Sequence, residues 1–450
     1  MSKVYKITKG LDIRLVGKAE TVVTKAPLAE AYALKPADFQ GLTPKLLVKV
    51  GDKVKAGTPL FFDKYNPKVV FASPVSGEIA AINRGERRLL LDVVVKPSEE
   101  QEYVVADTSN ILAQNREQIV ELLLAAGCWP FIKQRPYGII ANPSVSPKAI
   151  FISCFDSSPL APDFDTLVRG EEEGFYKGIE VLKKLTDGKV HLGLNASYTS
   201  PIFEKVDGVE VNLFQGPHPA GNVGTQINLV SPINKGEVVW TVDPQHVVAI
   251  GRFALTGKYD VQKTIAAVGS EVKKPHYYKI IQGASIKNLL EGGVSTGKHL
   301  RYVSGSVLSG TRISSEGFIG YYDNMLAVIP EGDHFEMFGW ALPGLNKFSF
   351  SRSFFSWLMP NKDFVMDTNY HGGERAFVMS DVYTKVFPFD IYPVHLLKAI
   401  LAEDIDAMEK LGIYEVVEED FALCEFVDPS KIEIQAIVRK GLNLMIKEMN

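Results

Sequence analysis

The sequence predicts a multi-domain protein of α/β plus β class. An all-β region comes first, then an α/β layer, a small α+β module and a helical C-terminal end. Three observations predict this. Between Leu46 and Pro97, short apolar stretches alternate with turn residues. From about Asn110, strand-like runs alternate with helical periods. From Val394 to Leu411 an apolar stripe recurs at helical spacing.

The elements follow in order. Leu46-Leu47-Val48, Pro59 to Phe62, Val69 to Phe71 and Leu89 to Leu91 read as strands. Gly51-Asp52, Gly57, Ser76-Gly77 and Arg84-Gly85 punctuate them, as a small antiparallel barrel or sandwich requires. Ile111, Ile119, Leu122 and Leu123 fit one face of a helix that stops at Gly127. Ala149 to Ser153 reads as a buried strand, Glu171 to Leu185 as a helix and His191 to Leu194 as a strand, which argues a largely parallel sheet. Past Pro244 the clearest strand is Ala327-Val328-Ile329, within an α+β module ending near Trp340. Leu342 to Gly373 is rich in Phe, Ser and Asn, has no period and is assigned to no element. Val394, Leu397, Ile400, Leu401, Ile405, Met408 and Leu411 make one helical stripe with Gly412 as its stop. Pro429 to Glu433 opens a last helix, with Ser430 and Glu433 at capping-box spacing. The expected regions are 1–98, 99–250, 251–340 and 341–450.

Several function classes are excluded by composition. The net charge is -4 and no basic patch dominates, so nucleic acid is not an expected partner. Met1 to Lys9 is polar and basic with no apolar segment behind it, which predicts no signal peptide and a cytoplasmic location. No apolar run approaches the ~18 residues of a spanning helix. A membrane link is therefore expected through a partner or a surface contact. Cys128, Cys154 and Cys424 are far apart and odd in number, against a disulfide framework. An iron–sulfur cluster usually takes four thiolates, more than the chain has. The eight histidines form no pair at metal-ligand spacing, and each reads as a surface or satisfied core residue. No catalytic residue, metal ligand or cofactor-binding residue is expected.

Four segments carry motifs. Gly51 to Leu60 with Ala72 to Ile79 resembles the biotinyl/lipoyl barrel-sandwich hybrid. A carrier needs a lysine at the tip between those halves. Asn66 stands there, with Lys64 and Lys68 two residues away, so a structural domain is the expectation. Glu291 to His299 nearly matches a phosphate loop, but His299 replaces the magnesium-binding hydroxyl, and a plain Gly-rich connection is expected. Gly216 to Thr225 holds three glycines, two prolines and a histidine, and reads either as a loop whose exposed amides take an anion or small ligand or as a rigid loop packed at a domain junction. His218, Pro219, Gly221, Asn222 and Gly224 are the residues of this loop singled out as candidate contacts. At the C-terminal end, a ferredoxin-type run ending at Pro429 would put ligands on Glu418, Phe421, Cys424 and Asp428. A second run ending at Pro393 would use Val382, Lys385, Pro388 and Tyr392. Only Cys424 is a thiol.

This order of regions resembles the C subunit of the Rnf complex and, more distantly, the FMN- and NADH-binding subunit of respiratory complex I. Those families bind flavin through a Gly-rich turn. The comparable stretch here, Ala125 to Phe131, has one glycine and bulky Trp129 and Phe131. Lys9-Gly10-Leu11-Asp12-Ile13, Gly216 to Thr225 and Asp420 to Cys424 resemble the A subunits of Na+-translocating NADH:quinone oxidoreductases. That resemblance implies a barrel-sandwich hybrid, a Rossmann-like layer, a β-grasp-like (SLBB-type) module and a cluster-free ferredoxin-like helical domain. It implies a peripheral subunit on the cytoplasmic side of the bacterial inner membrane, bound to the B subunit in the membrane. The complex would reduce ubiquinone with NADH and export Na+, while other subunits hold the flavins. This one would carry no redox cofactor and would support the quinone-reducing step, with His218, Pro219, Gly221, Asn222 and Gly224 as the residues placed against quinone or a partner. Two rivals remain at this point: a free-standing flavin- or NADH-dependent oxidoreductase, and a carrier or interaction protein built on the barrel.

Overall fold

A computed structural model describes residues 3–333, 336–339 and 342–449. Trp340, the expected end of the α+β module, and Met1 lie outside the described residues.

The α/β layer is a seven-stranded sheet. Its order is Lys3–Lys6, Glu210–Gln215, Lys189–Asn195, Ala149–Ser153, Val239–Val242, Ile132–Arg135 and Ile139–Ile140. The first five are parallel and the last two join antiparallel. Strand period two decides the faces. Ile150 and Ile152 point to one side, against the helices Glu172–Lys183 and Pro244–Thr256. Ala149 and Phe151 point to the other, against Ile227 of helix Val223–Val230. The two helices on the first side cross on glycine: a Cβ at Gly251 would lie 1.7 Å from Gly174 O, and one at Gly178 would lie 2.1 Å from Val247 O.

Chain order sets a switch point. Three parallel strands run outward from Ala149–Ser153, and the next, Val239–Val242, pairs on its opposite side. The strand ends there open a crevice, where ligands bind in folds of this kind.

The expected barrel region consists of two antiparallel sheets. One is Tyr32–Leu34, Leu90–Pro97, Gly77–Arg84 and Lys53–Val54, and the other is Pro44–Leu46, Pro59–Asp63 and Val70–Ala72. Leu60, Phe71, Ile79 and Val93 are buried in its core. Asn66 sits in its tip turn, its carbonyl accepting from Val69 N–H at 2.9 Å. The first 25 residues do not stay in this region. Lys3–Lys6 closes the edge of the α/β sheet, and Glu20–Lys25 pairs with His276–Ile281 in a six-stranded sheet. Both strands are short and mostly exposed, so neither leaves a hydrophobic period to read.

The six-stranded sheet runs Thr311–Ile313, Leu300–Ser304, Met325–Pro330, Gln262–Val268, His276–Ile281 and Glu20–Lys25. Leu289-Leu290, whose paired leucines before the Gly-rich stretch suggest a helix end, lies in turns.

The C-terminal end is helical, with Leu397, Phe421, Cys424, Val438 and Leu442 in one core. The apolar stripe is two helices, Pro393–Leu401 and Ile405–Lys410. Glu403 has φ +56°, and the Asp404 carboxylate caps the second helix from Ala407 N–H at 3.0 Å. The expected capping box does not form. Lys431 takes φ +57°, Ser430 Oγ donates to Ala376 O at 3.0 Å, and the helix starts only at Ile434. Among the described residues no helix is long and apolar enough to cross a membrane.

Candidate functional site

A cavity of about 400 Å³ opens at the switch point. Every region reaches it: Asp38 and Phe39 from the barrel side, Ser153 and Asp243 from strand ends, Asn324 from the six-stranded sheet's loop, and Glu419 from the C-terminal helices.

The loop Gly216 to Thr225 forms one wall. His218, Gly221 and Asn222 line the cavity; Pro219 and Gly224 do not. His218 is 4% exposed, and its Nδ1 lies 3.0 Å from Ser157 Oγ. That same oxygen accepts from Gly221 N–H at 2.8 Å, so Ser157 ties the loop to the strand Ala149–Ser153. Burial pulls His218 below the ordinary histidine range, partly opposed by Asp156 and Asp12, so the imidazole is held towards its neutral form. Pro219 follows through a cis peptide and is itself buried. Gly224 serves contact, not ligand access: a Cβ there would lie 2.3 Å from Asp420 Oδ1.

The three segments that carry the family resemblance meet here, although nothing in their spacing foretells it. Asp12 Oδ1 accepts from His218 N–H at 2.9 Å, and Leu11 N–H donates to His218 O at 2.8 Å. Asp420 packs against Gly224 while it accepts from the Arg135 guanidinium at 2.5 Å. Glu419 takes the other arm of Arg135 at 2.6 Å.

The lining also contains the residue that sequence reasoning misses. His246 is 4% exposed, lines the cavity, and neither ring nitrogen makes a well-aligned hydrogen bond among the described residues, the nearest pull coming from the Tyr321 backbone. It is neither a surface histidine nor a well-satisfied core one, which corrects the expectation for this one of the eight. Its ring stacks on Phe131 at 4.8 Å and meets Tyr322 edge-on at 5.6 Å. Burial, then the Lys263 and Lys133 charges, pushes it well below the ordinary range, so it is neutral. One helical turn before it, Asp243 accepts from Gln245 N–H at 2.9 Å and from Asn324 Nδ2 at 2.7 Å. Burial pushes the Asp243 carboxyl up, against the pull of Lys263. Burial likewise raises Asp38 to about 6, despite Lys35. A histidine on an apolar helix face gives no sequence signal of its position, because core and cavity faces share one period.

The other motifs resolve into packing. Gly127 has φ +74°, and a Cβ there would lie 2.5 Å from the Ala72 Cβ, so this glycine meets the barrel and not a phosphate. Trp129 is fully buried, its Nε1 donating to Ala141 O at 2.7 Å, and Phe131 fills the space beside His246. The stretch does not fit a flavin phosphate. At the positions where a ferredoxin-type run would put its ligands, Glu418 pairs with Arg439, Phe421 and Cys424 are core, and Asp428 accepts from Tyr383 Oη at 2.7 Å. No group of three His, Cys, Asp or Glu among the described residues could hold a metal. In the phosphate-loop look-alike, Lys298 Nζ lies 3.0 Å from the Glu271 carboxylate, within a turn.

Fold and site together define a multi-domain α/β protein with a polar switch-point cavity shared by all its regions. Three family descriptions match it: "NqrA N-terminal barrel-sandwich hybrid domain" over residues 5–98, "NqrA second alpha/beta domain" over 114–259 and "NQRA C-terminal domain" over 264–315. Similar curated proteins are named as the A subunit of Na(+)-translocating NADH-quinone reductase. The protein of Yersinia pestis bv. Antiqua (strain Angola) is 40% identical over 98% of this chain and 99% of its own length. That of Neisseria meningitidis serogroup A is 38% identical over 98% and 99%, and that of Rhodopirellula baltica 37% over 99% and 98%. Among solved structures, an NAD+-reducing [NiFe]-hydrogenase aligns at 12% identity and TM-score 0.38, over 76% of this chain and 62% of that one, too loosely to carry an argument. The chain belongs to the NqrA family, the A subunits of the Na+-translocating NADH-quinone reductases.

Proposed function

We propose that this subunit sits peripherally on the cytoplasmic side of the inner membrane, docks on the B subunit in the membrane and shapes the ubiquinone-reducing end of the complex. It holds no flavin, cluster or metal of its own; NADH is oxidised elsewhere in the complex, whose work is ubiquinone reduction coupled to Na+ export. The one observation that carries a ligand role for this chain is the cavity wall pair, buried His218 and the unpartnered His246. A neutral imidazole can donate to a quinone carbonyl oxygen, and a dry, stacked ring suits a planar head group. The related-fold expectations, a Rossmann-like layer, an SLBB-type module and a ferredoxin-like helical end, belong to this same reading. Filled motif positions support it, since Trp129, Phe131 and Asp428 now hold the fold.

Photolabelling of the whole complex with a photoreactive ubiquinone tests the ligand role. Label on peptides that include His218 or His246 is expected. Label confined to other subunits would reduce this chain to a scaffold. The isolated protein should show no visible absorption, and one flavin per chain would overturn the cofactor-free reading.

A further inference from the structure

The segment Leu342 to Lys362, which has no readable period, folds as a knob. Its only regular element is the short 3-10 turn Phe355–Leu358. Its two halves hold each other: Phe355 N–H donates to Pro343 O at 2.9 Å, and Lys362 Nζ to Leu345 O at 2.9 Å. The aromatic residues divide by direction. Phe348 turns inward, its ring 5.7 Å from Phe364 and 5.9 Å from Phe426 of the helical core. Leu342, Leu345, Phe355, Trp357 and Leu358 turn outward, each at least 50% exposed. Soluble surfaces rarely gather so many large apolar side chains without a contact to make.

Charge says what kind of contact. The chain is net -4, yet from Leu342 to Lys362 it has Lys347, Arg352 and Lys362 and not one carboxylate, and the next residue, Asp363, is paired with Arg14 at 2.9 Å. Lys347 is engaged by Glu336. Arg352 and Lys362 make no ion pair among the described residues. Trp, Phe and Leu beside acid-free cations are the chemistry of the boundary between head groups and acyl chains. The rings enter the apolar layer and the cations stay at the phosphates. The knob offers no helix face or strand edge on which a protein partner could build a regular interface.

We propose that the Leu342–Lys362 knob rests on an anionic lipid bilayer, with Phe355, Trp357 and Leu358 at the acyl boundary and Arg352 and Lys362 at the phosphates. This deepens the peripheral placement proposed above and fails separately from docking on the B subunit.

The test uses the full chain and vesicles of phosphatidylcholine with or without phosphatidylglycerol. The chain should sediment with anionic vesicles, less with neutral ones, and less at high salt. F355S/W357S/L358S should weaken vesicle binding by about tenfold or more, and R352E by less. Trp357 emission should be quenched by bromine-labelled acyl chains, and this quenching should vanish in W357F. Because all three substituted residues are exposed, thermal unfolding of the triple variant should match wild type. Absence of wild-type binding, or equal binding by the triple variant, overturns the proposal. So does a triple variant that drops out of the assembled complex while binding vesicles as before, which would make the knob a protein interface. Loss of vesicle binding with the complex intact supports the bilayer contact and leaves the docking reading untouched.

Discussion

The turn Ala125 to Phe131 and the run Glu418 to Asp428 stand at the two places where the motif patterns in the sequence would put a flavin and a cluster, and they are filled by opposite means. The turn is filled with bulk. Trp129 and Phe131 are buried, and Gly127 lets the barrel close on them. The run is filled with charge and hydrogen bonds: Arg135 between Asp420 and Glu419, Arg439 on Glu418, Tyr383 on Asp428. Bulk stabilises through area removed from water and tolerates small shifts. Buried charge stabilises little in net terms but punishes the loss of one partner, so it specifies how elements meet. The run accordingly fixes the helical end against the α/β layer, while the turn fixes the core of that layer. Between them the cavity retains His246, a polar group that neither device has satisfied.

Four experiments break or sharpen that contrast. Trp129→Ala should have the largest effect, about 4 kcal/mol of lost stability, since a fully buried ring and its bond to Ala141 both go. Urea unfolding followed by circular dichroism measures it. Asp420→Ala should cost about 3 kcal/mol, by leaving buried Arg135 on Glu419 alone. Replacing the pair together, as Arg135→Met with Asp420→Leu, should recover most of that in the same assay. No recovery would mean that this end is held by bulk as well. Asp428→Asn should cost only about 1 kcal/mol, because its amide oxygen can still accept from Tyr383 while its NH2 group cannot accept from Ile432 N–H.

The smallest effect at neutral pH belongs to His246→Leu. A similar-sized apolar side chain in a site without partners should leave stability near wild type at pH 8. Below about pH 6.5 the curves should part. The folded protein holds His246 neutral, so the unfolded chain binds the extra proton, and wild type loses stability as pH falls through the unfolded value. The leucine variant lacks that loss. Asp38, raised to about 6, acts in the opposite sense between there and its ordinary 3.8. It is common to both proteins, so the difference between their melting curves isolates the histidine. Parallel curves from pH 8 to 5 would show His246 satisfied after all.

The barrel's turns, the alternation of strand and helix from Ile119 to Leu194, and the C-terminal stripe were legible because each writes a local period or a turn residue into the chain. The edge strands Lys3–Lys6 and Glu20–Lys25 were not, because four to six mostly exposed residues carry no period. The helix start at Pro429 was misplaced because a capping-box spacing says nothing of the competing acceptor Ala376 O, which takes Ser430. At the site, the loop around His218 stood out by composition alone, since glycines and prolines mark special backbone wherever they fall.

By itself, then, the sequence determined the kinds of local structure, the lack of any apolar run long enough to span a membrane, and a scarcity of thiols too great for a four-cysteine cluster. These depend on residue type and spacing within a short window. Only the tertiary structure decided that Asp12 meets His218 and Asp420 meets Gly224 beside one crevice, that His246 lines that crevice, and that Pro219 does not. Those outcomes depend on which strand lies beside Ala149–Ser153 and how closely glycine lets the layers approach, and contacts between residues hundreds of positions apart leave no mark in a local pattern.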